Sequence, residues 1–350
     1  MSVVVWHLAA KMSASGSGEG NVDEELRPED VDAIEREAQQ HQGEFMTSTP
    51  SSIDLALLPG VDPTLSLSPE GTFDPLTALN QYQRDKYDRL REAVNALDLD
   101  DRERYWASPA CLLRYLRARQ WKVAKALPMF KDTIEWRRSF RPEDLRPEDF
   151  YEEADTGKNY LNGWSLRGQP CLIMTPAREN YKDWQRGVRL SVFNLERALQ
   201  EMDESRGVES LILIVDNSNF SMKNSPPLKI SRQVLNIVSN HYPERLGKAI
   251  MLFAPWVFSF FWNLIKPFIN KVTSSKIVFL SGKTDPKSKL YHALEAIFDM
   301  KTVENRFGGS SNFEYNHEEF WAETTKRFYQ RREEQNAAFE EWMAKGGQWP

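Results

Sequence analysis

Ser281-Gly282-Lys283-Thr284 is a first place to look for chemistry, because a Gly-Lys pair followed by a hydroxyl is how a phosphate-binding loop ends. Such a loop needs a further glycine five residues before its Gly-Lys, so that backbone amides can approach the phosphates, and that position holds Ile277. A nucleotide site is therefore not expected. Gly163-Trp164-Ser165-Leu166-Arg167-Gly168 has the outline of a nucleophile elbow, but its second glycine falls one residue late and no strand clearly leads into it. A surface turn is the better reading. The five histidines (His7, His41, His241, His292 and His317) show no metal-ligand spacing, and the two cysteines, Cys111 and Cys171, sit among apolar neighbours as reduced core residues would. No catalytic residue, metal or cofactor is expected, and the chain reads as a binding protein, not an enzyme.

The elements that would position any site alternate in kind along the chain. Helical spacing runs from Leu76 to Leu97, and Ser108-Pro109 is a helix cap with proline at the first helical position, opening the run CLLRYLRARQ. Val123, Leu127, Phe130 and Ile134 mark one face of the next helix. Beyond Asp155 short apolar runs take over, at Cys171 to Thr175, Leu211 to Val215, Ile250 to Phe253 and Lys276 to Leu280. Between them lie two amphipathic helices, one carrying Val192, Leu195, Leu199 and Met202, the other Ile230, Val234, Ile237 and Val238. Strand–helix–strand alternation predicts an α/β fold with a mostly parallel sheet behind an N-terminal helical layer. A charged helix from about Glu318 to Lys345 closes the chain.

The 350 residues are 41% hydrophobic, enough for a sizeable core. The net charge of −6 is unevenly spread: residues 1 to 75 hold fourteen acidic against three basic side chains, leaving the rest mildly basic. That balance is compatible with an anionic lipid surface and gives no sign of a nucleic-acid partner. The Ser-, Gly- and Pro-containing acidic segment is expected to be disordered, apart from a short helix between Asp32 and Gln40. The opening MSVVVWHLAAKM has neither a basic leading region nor a cleavage site, so a signal peptide is not expected. The expected organisation is a tail over 1–75, a helical region over 76–142, a central domain over 143–312 and a C-terminal extension over 313–350.

From Ala249 to Ile269 only Ser259, Asn263 and Lys266 are polar. A membrane span is excluded by length, since Pro255 and Pro267 leave 11 residues between them where a span needs about 20. Trp256, Phe258, Phe260, Phe261, Trp262, Leu264 and Ile265, with Phe268 just beyond, surround this helix instead of forming one stripe. Composition leaves two readings open, an ordinary buried core helix or a helix that covers a cavity and meets a membrane.

The stretch HYPERLGKAIMLFAPWVFSFFWNLIKPFINKVTSSKIVFL, from His241 to Leu280, resembles the signature of the CRAL-TRIO lipid-binding family. LLRYLRARQW at Leu112 to Trp121 and NRFGG at Asn305 to Gly309 are similar to its other motifs. TGKNYLNG, LERALQEMDES and FEYNHEEFW are most similar to the fungal phosphatidylinositol transfer proteins associated with pleiotropic drug resistance. The resemblance implies a lipid cavity, lined in part by Leu211, Leu213 and Phe253, with the Trp256 to Phe268 segment as its movable gate. It implies phosphatidylinositol as bound ligand, held at its headgroup by Arg119, Glu244, Thr273 and Lys276, and transient contact with membranes from the cytoplasm, at the endoplasmic reticulum, lipid droplets or cell periphery.

The chemistry of that set is reasonable: cations and a hydroxyl meet a phosphate, and a carboxylate accepts from inositol hydroxyls. Without the resemblance, Arg119 and Glu244 would read as members of ordinary ion pairs. Two departures stand out. Gln120 replaces a lysine that assists phosphoinositol binding in a well-known relative, and Leu211 and Leu213 replace hydroxyl-bearing residues that hold phosphatidylcholine there. Loss of those hydroxyls disfavours a zwitterionic head and suits a sterol or other hydrophobe as second cargo. Bulk transfer, presentation of lipid to a phosphoinositide kinase and, least favoured, lipid hydrolysis remain the alternatives.

Overall fold

A computed structural model describes residues 73–180, 183–221, 226–254 and 275–350. The acidic segment with its expected helix at Asp32 to Gln40, the gate from Trp256 to Phe268, and Thr273 lie outside the described residues.

Packing begins ahead of Leu76, since the Phe73 amide donates to the Ser205 carbonyl at 2.6 Å. Asn80 then opens α1 (Gln81–Asn95) by accepting from the Gln83 amide at 2.9 Å, while the Gln83 side chain accepts from the Asn80 amide. Two otherwise orphaned donors are thereby satisfied. Asp100 and Glu103 repeat the device at α2 (Asp101–Trp106), a helix too short for apolar periodicity to reveal. Ser108 caps α3 (Pro109–Ala118) as the sequence predicts, accepting from the Cys111 amide at 3.2 Å. With α4 (Val123–Phe140) these helices close one apolar cluster around Tyr87, Leu112, Leu116 and Phe130.

The sheet has the order β1-β2-β3-β4-β5, with β1 (Asn159–Trp164) antiparallel to β2 (Pro170–Met174) and the rest parallel: β3 (Leu211–Asp216), β4 (Leu246–Leu252) and β5 (Ile277–Leu280). The expectation that no strand leads into Ser165 is corrected by β1. Its two asparagines and a glycine have low strand propensity, so alternation was weak. Tertiary contact holds it instead, through ladder pairs to β2 and the buried Tyr160 hydroxyl donating to Glu304 at 2.8 Å.

Alternate residues of β3 and β4 feed opposite cores. Leu211, Leu213, Val215, Ala249 and Met251 pack with α5 (Trp184–Gln200) and α6 (Leu228–His241), the two crossover helices. Ile212, Ile214, Ile250 and Leu252 pack with α7 (Lys289–Glu295) and Phe307. The NRFGG turn is built on close approach: a Cβ on Gly309 would sit 2.0 Å from the Val303 carbonyl oxygen and one on Gly308, at φ 92°, 2.4 Å from that of Thr284. The second contact packs the turn against Thr284, while Ser281, Gly282 and Lys283 stay exposed.

The last helix, α8 (His317–Ala344), crosses the molecule. Trp321 and Phe328 join the core on the α5 side, while Phe339 and Trp342 lie against Tyr105 of α2, each with ring centroids 5.4 Å apart.

Candidate functional site

Glu244 sits in the connection between α6 and β4, and Lys276 immediately precedes β5. Because β4 and β5 are parallel, with Ala249 opposite Ile277, both residues fall at the same end of the sheet. The backbone joins them further, as the Ala249 amide donates to the Lys276 carbonyl at 2.8 Å. Their side chains meet with Lys276 Nζ 3.5 Å from Glu244 Oε2. The lysine side chain is 9% exposed and the glutamate 30%. Among the described residues this ammonium, withdrawn from water, meets one carboxylate at the outer limit of hydrogen bonding. Its chemistry invites an anion.

Glu244 has φ 59°, a left-handed conformation that a residue with a Cβ adopts at a cost. Its neighbours enforce it. Tyr242 donates to Glu196 at 2.6 Å, and Arg245 donates to the Glu209 carbonyl at 2.9 Å and to Glu204 at 3.0 Å. Glu204 and Glu209 are also held by Arg114 of α3, at 3.0 and 2.7 Å. Burial, then the nearby Glu196 carboxylate, push the Tyr242 hydroxyl far above the ordinary tyrosine range, so it remains a donor. His241, which ends α6, stacks on Trp136 of α4 with centroids 4.5 Å apart and planes 6° apart. The helical layer thus fixes the loop that carries Glu244.

Arg119 caps the C-terminal end of α3, half-buried, and donates to the Ala118 carbonyl at 3.2 Å. Among the described residues no carboxylate pairs with it. Neither does a hydrogen bond or ion pair join it to Glu244 or Lys276. Gln120 and Trp121 follow at φ 52° and 61°, two left-handed residues in succession that turn the chain sharply beside Arg119. No pattern in the sequence marks this turn, because neither residue is a glycine or asparagine.

Leu211 and Leu213 face the same side of the sheet, both buried in the α5–α6 core. Phe253 is not brought together with them. Strict alternation would put it beside Met251, but its φ of 52° rotates the chain at the end of β4 and its ring packs with the opposite core.

Ser165 is accounted for without catalysis. Its hydroxyl accepts from the Arg167 and Gln169 amides and donates to the Gln169 side chain, all at 3.2 Å. This is a turn-stabilising serine. Among the described residues, no group of His, Cys, Asp and Glu is placed to hold a metal. Among the same residues, no helix is long and apolar enough to cross a membrane. Cys111 and Cys171 are buried free thiols in α3 and β2.

Helical layer, parallel sheet and motif positions together define the class. The chain belongs to the CRAL/TRIO family: the CRAL/TRIO domain matches residues 154–309 and the CRAL/TRIO N-terminal domain residues 86–132. It is 37% identical over 235 residues to a CRAL-TRIO domain-containing protein of Schizosaccharomyces pombe, an alignment covering 67% of this chain but 22% of that relative. It is 29% identical over 270 residues to the phosphatidylinositol transfer protein PDR17 of Saccharomyces cerevisiae, covering 71% of this chain and 73% of the relative. Among solved structures, the crystal structure of Sfh5 aligns with a TM-score of 0.46 at 18% identity, over 57% of this chain and 81% of that one.

Proposed function

We propose that the chain is a phosphatidylinositol carrier, with the Glu244–Lys276 pair as the anchor for the lipid headgroup. The observation that carries this reading is the nearly buried ammonium of Lys276 with, among the described residues, a single carboxylate 3.5 Å away. A phosphodiester would complete its coordination, while inositol hydroxyls would donate to Glu244. The similarity to a named phosphatidylinositol transfer protein over most of both chains supports the ligand. Arg119 and Thr273 are assigned to the same headgroup by family resemblance. Leu211 and Leu213 make the β3 wall wholly apolar, which suits a sterol or similar hydrophobe as alternate cargo and removes hydroxyls that a choline lipid would use.

The carrier would work from the cytoplasm as a peripheral visitor to membranes. No covalent step is required: the segment from Trp256 to Phe268 opens where its aromatic side chains find lipid, the cargo exchanges, and the segment closes. Liposome-to-liposome transfer tests the headgroup assignment. Glu244→Ala and Lys276→Ala are expected to reduce phosphatidylinositol transfer at least about tenfold, the effect of losing one charge-assisted contact. Normal transfer by both variants would sink the assignment. Mass spectrometry of lipid retained by the purified protein reads the cargo directly.

A further inference from the structure

The hairpin between β1 and β2 is tied down at every amide of its turn. Ser165 donates to the Gln169 carbonyl at 2.9 Å, Leu166 to the Ile297 carbonyl at 2.8 Å and Gly168, at φ 75°, to the Ser165 carbonyl at 2.9 Å. Arg167 and Gln169 donate to the Ser165 hydroxyl. On this rigid tip Leu166 is 61% exposed and Trp164 44%. Leaving a leucine and a tryptophan in water on a stiff projection forgoes burial that a flexible loop could recover by folding back.

A cation adjoins them. Arg167 is exposed between Leu166 and Gly168. It lies near enough to Lys248 of β4 that burial, and then the Arg167 charge, hold that ammonium below its ordinary range. Arg327 of α8, paired with Glu201 at 2.7 Å, stands 5.4 Å over the Trp164 ring. Behind Trp164, a cleft of about 510 Å³ is lined by Glu201, Glu314, Glu319 and Glu323 against Arg197 and Arg327, so the cleft is acidic and Arg167 is the cation carried on the hairpin tip itself.

We propose that the β1–β2 hairpin is a membrane-contact site, separate from the gate, in which Trp164 and Leu166 enter the interfacial layer of a bilayer while Arg167 meets anionic headgroups. A tryptophan, an aliphatic side chain and an adjacent cation on one tip match that layer in polarity and charge. A protein partner fits less well, because a stable interface needs about 800 Å² per side with complementary shape, whereas two projecting side chains suffice for a fluid surface. The topology gives the contact a purpose. Strands β2 to β5 are parallel, so the hairpin before β2, Glu244 before β4 and Lys276 before β5 share one end of the sheet. Three strand spacings, about 14 Å, separate the first strand from the last. A hairpin seated in a bilayer therefore turns the headgroup end toward it. Only this last point rests on the carrier reading; the contact itself does not.

Co-sedimentation of the full chain with vesicles of phosphatidylcholine, with and without phosphatidylserine, tests the proposal. Trp164→Ser combined with Leu166→Ser is expected to weaken binding to both vesicle types about tenfold, with retained lipid and thermal midpoint unchanged. Arg167→Glu, which leaves the apolar pair intact, is expected to weaken binding only to the phosphatidylserine vesicles. Wild-type binding by both variants overturns the membrane contact, including the case in which the hairpin serves a protein partner. Lys276→Ala separates the two readings: unimpaired phosphatidylinositol transfer by this variant removes the headgroup anchor and leaves the hairpin result standing.

Discussion

Glu244 occupies a backbone conformation that glycine adopts more easily than any residue with a Cβ. Comparing Glu244→Ala with Glu244→Gly isolates that cost, since both remove the carboxylate. At an ordinary site alanine is the more stable of the two by roughly 0.5–1 kcal/mol. Here the order is expected to reverse, with the glycine variant more stable by about 1 kcal/mol in urea denaturation while both variants lose phosphatidylinositol transfer to the same extent. Higher stability of the alanine variant would show that the left-handed backbone is not held in solution. At this scale the residue types were legible and their arrangement was not. The resemblance picked out Glu244 and Lys276, but neither their shared end of the sheet nor the φ of Glu244 follows from local pattern, because both depend on how α6 and β4 join. The glycine spacing points to a turn at Ser165, and a turn is what forms, but the other ground for that reading, the lack of a leading strand, fails because β1 runs directly into it.

The junction of α6 with β4 depends on a histidine kept neutral. Burial lowers the His241 pKa, against the pull of Asp132 and with some help from Arg137. Because the folded value lies below the unfolded one, about 6.5, the stability linked to the neutral ring is complete above that pH and drains away as pH falls through the folded value. His241→Phe keeps the stack on Trp136 and removes the proton. The thermal midpoint of the wild type is therefore expected to drop between about pH 6.5 and 5 more steeply than that of the variant, with the two curves parallel above pH 7. Identical slopes would place the acid sensitivity elsewhere. Helices whose apolar face repeats over several turns, such as α4, α5 and α6, were readable from spacing, as was the cap at Ser108. α2, β1 and the end of β4 were not: α2 is a bare turn and a half stabilised by its capping box, β1 is held by its neighbours, and Phe253 leaves the alternation through one positive φ.

Across the whole molecule the parallel architecture followed from the alternation of elements, but the path of α8 did not, since a charged helix carries little sign of what it lies on. Its few apolar residues are divided between two clusters, Trp321 and Phe328 at one end and Phe339 and Trp342 at the other. Trp342→Ala is expected to cost roughly 3–5 kcal/mol, as for other buried tryptophans. The loss should appear as faster hydrogen exchange in α1 to α3 with exchange in β2 to β4 little changed; uniform acceleration would mean the two regions unfold as one. The position of that helix in the chain also has a kinetic meaning. The helical layer leaves the ribosome before the sheet and its contacts are local, so it can form early, yet the aromatic face around Tyr105 stays bare until more than two hundred further residues have been made. Throughout that interval the nascent chain carries an uncovered aromatic patch, which waits for α8 and then for Trp349, whose ring stacks on Tyr105 with centroids 5.7 Å apart.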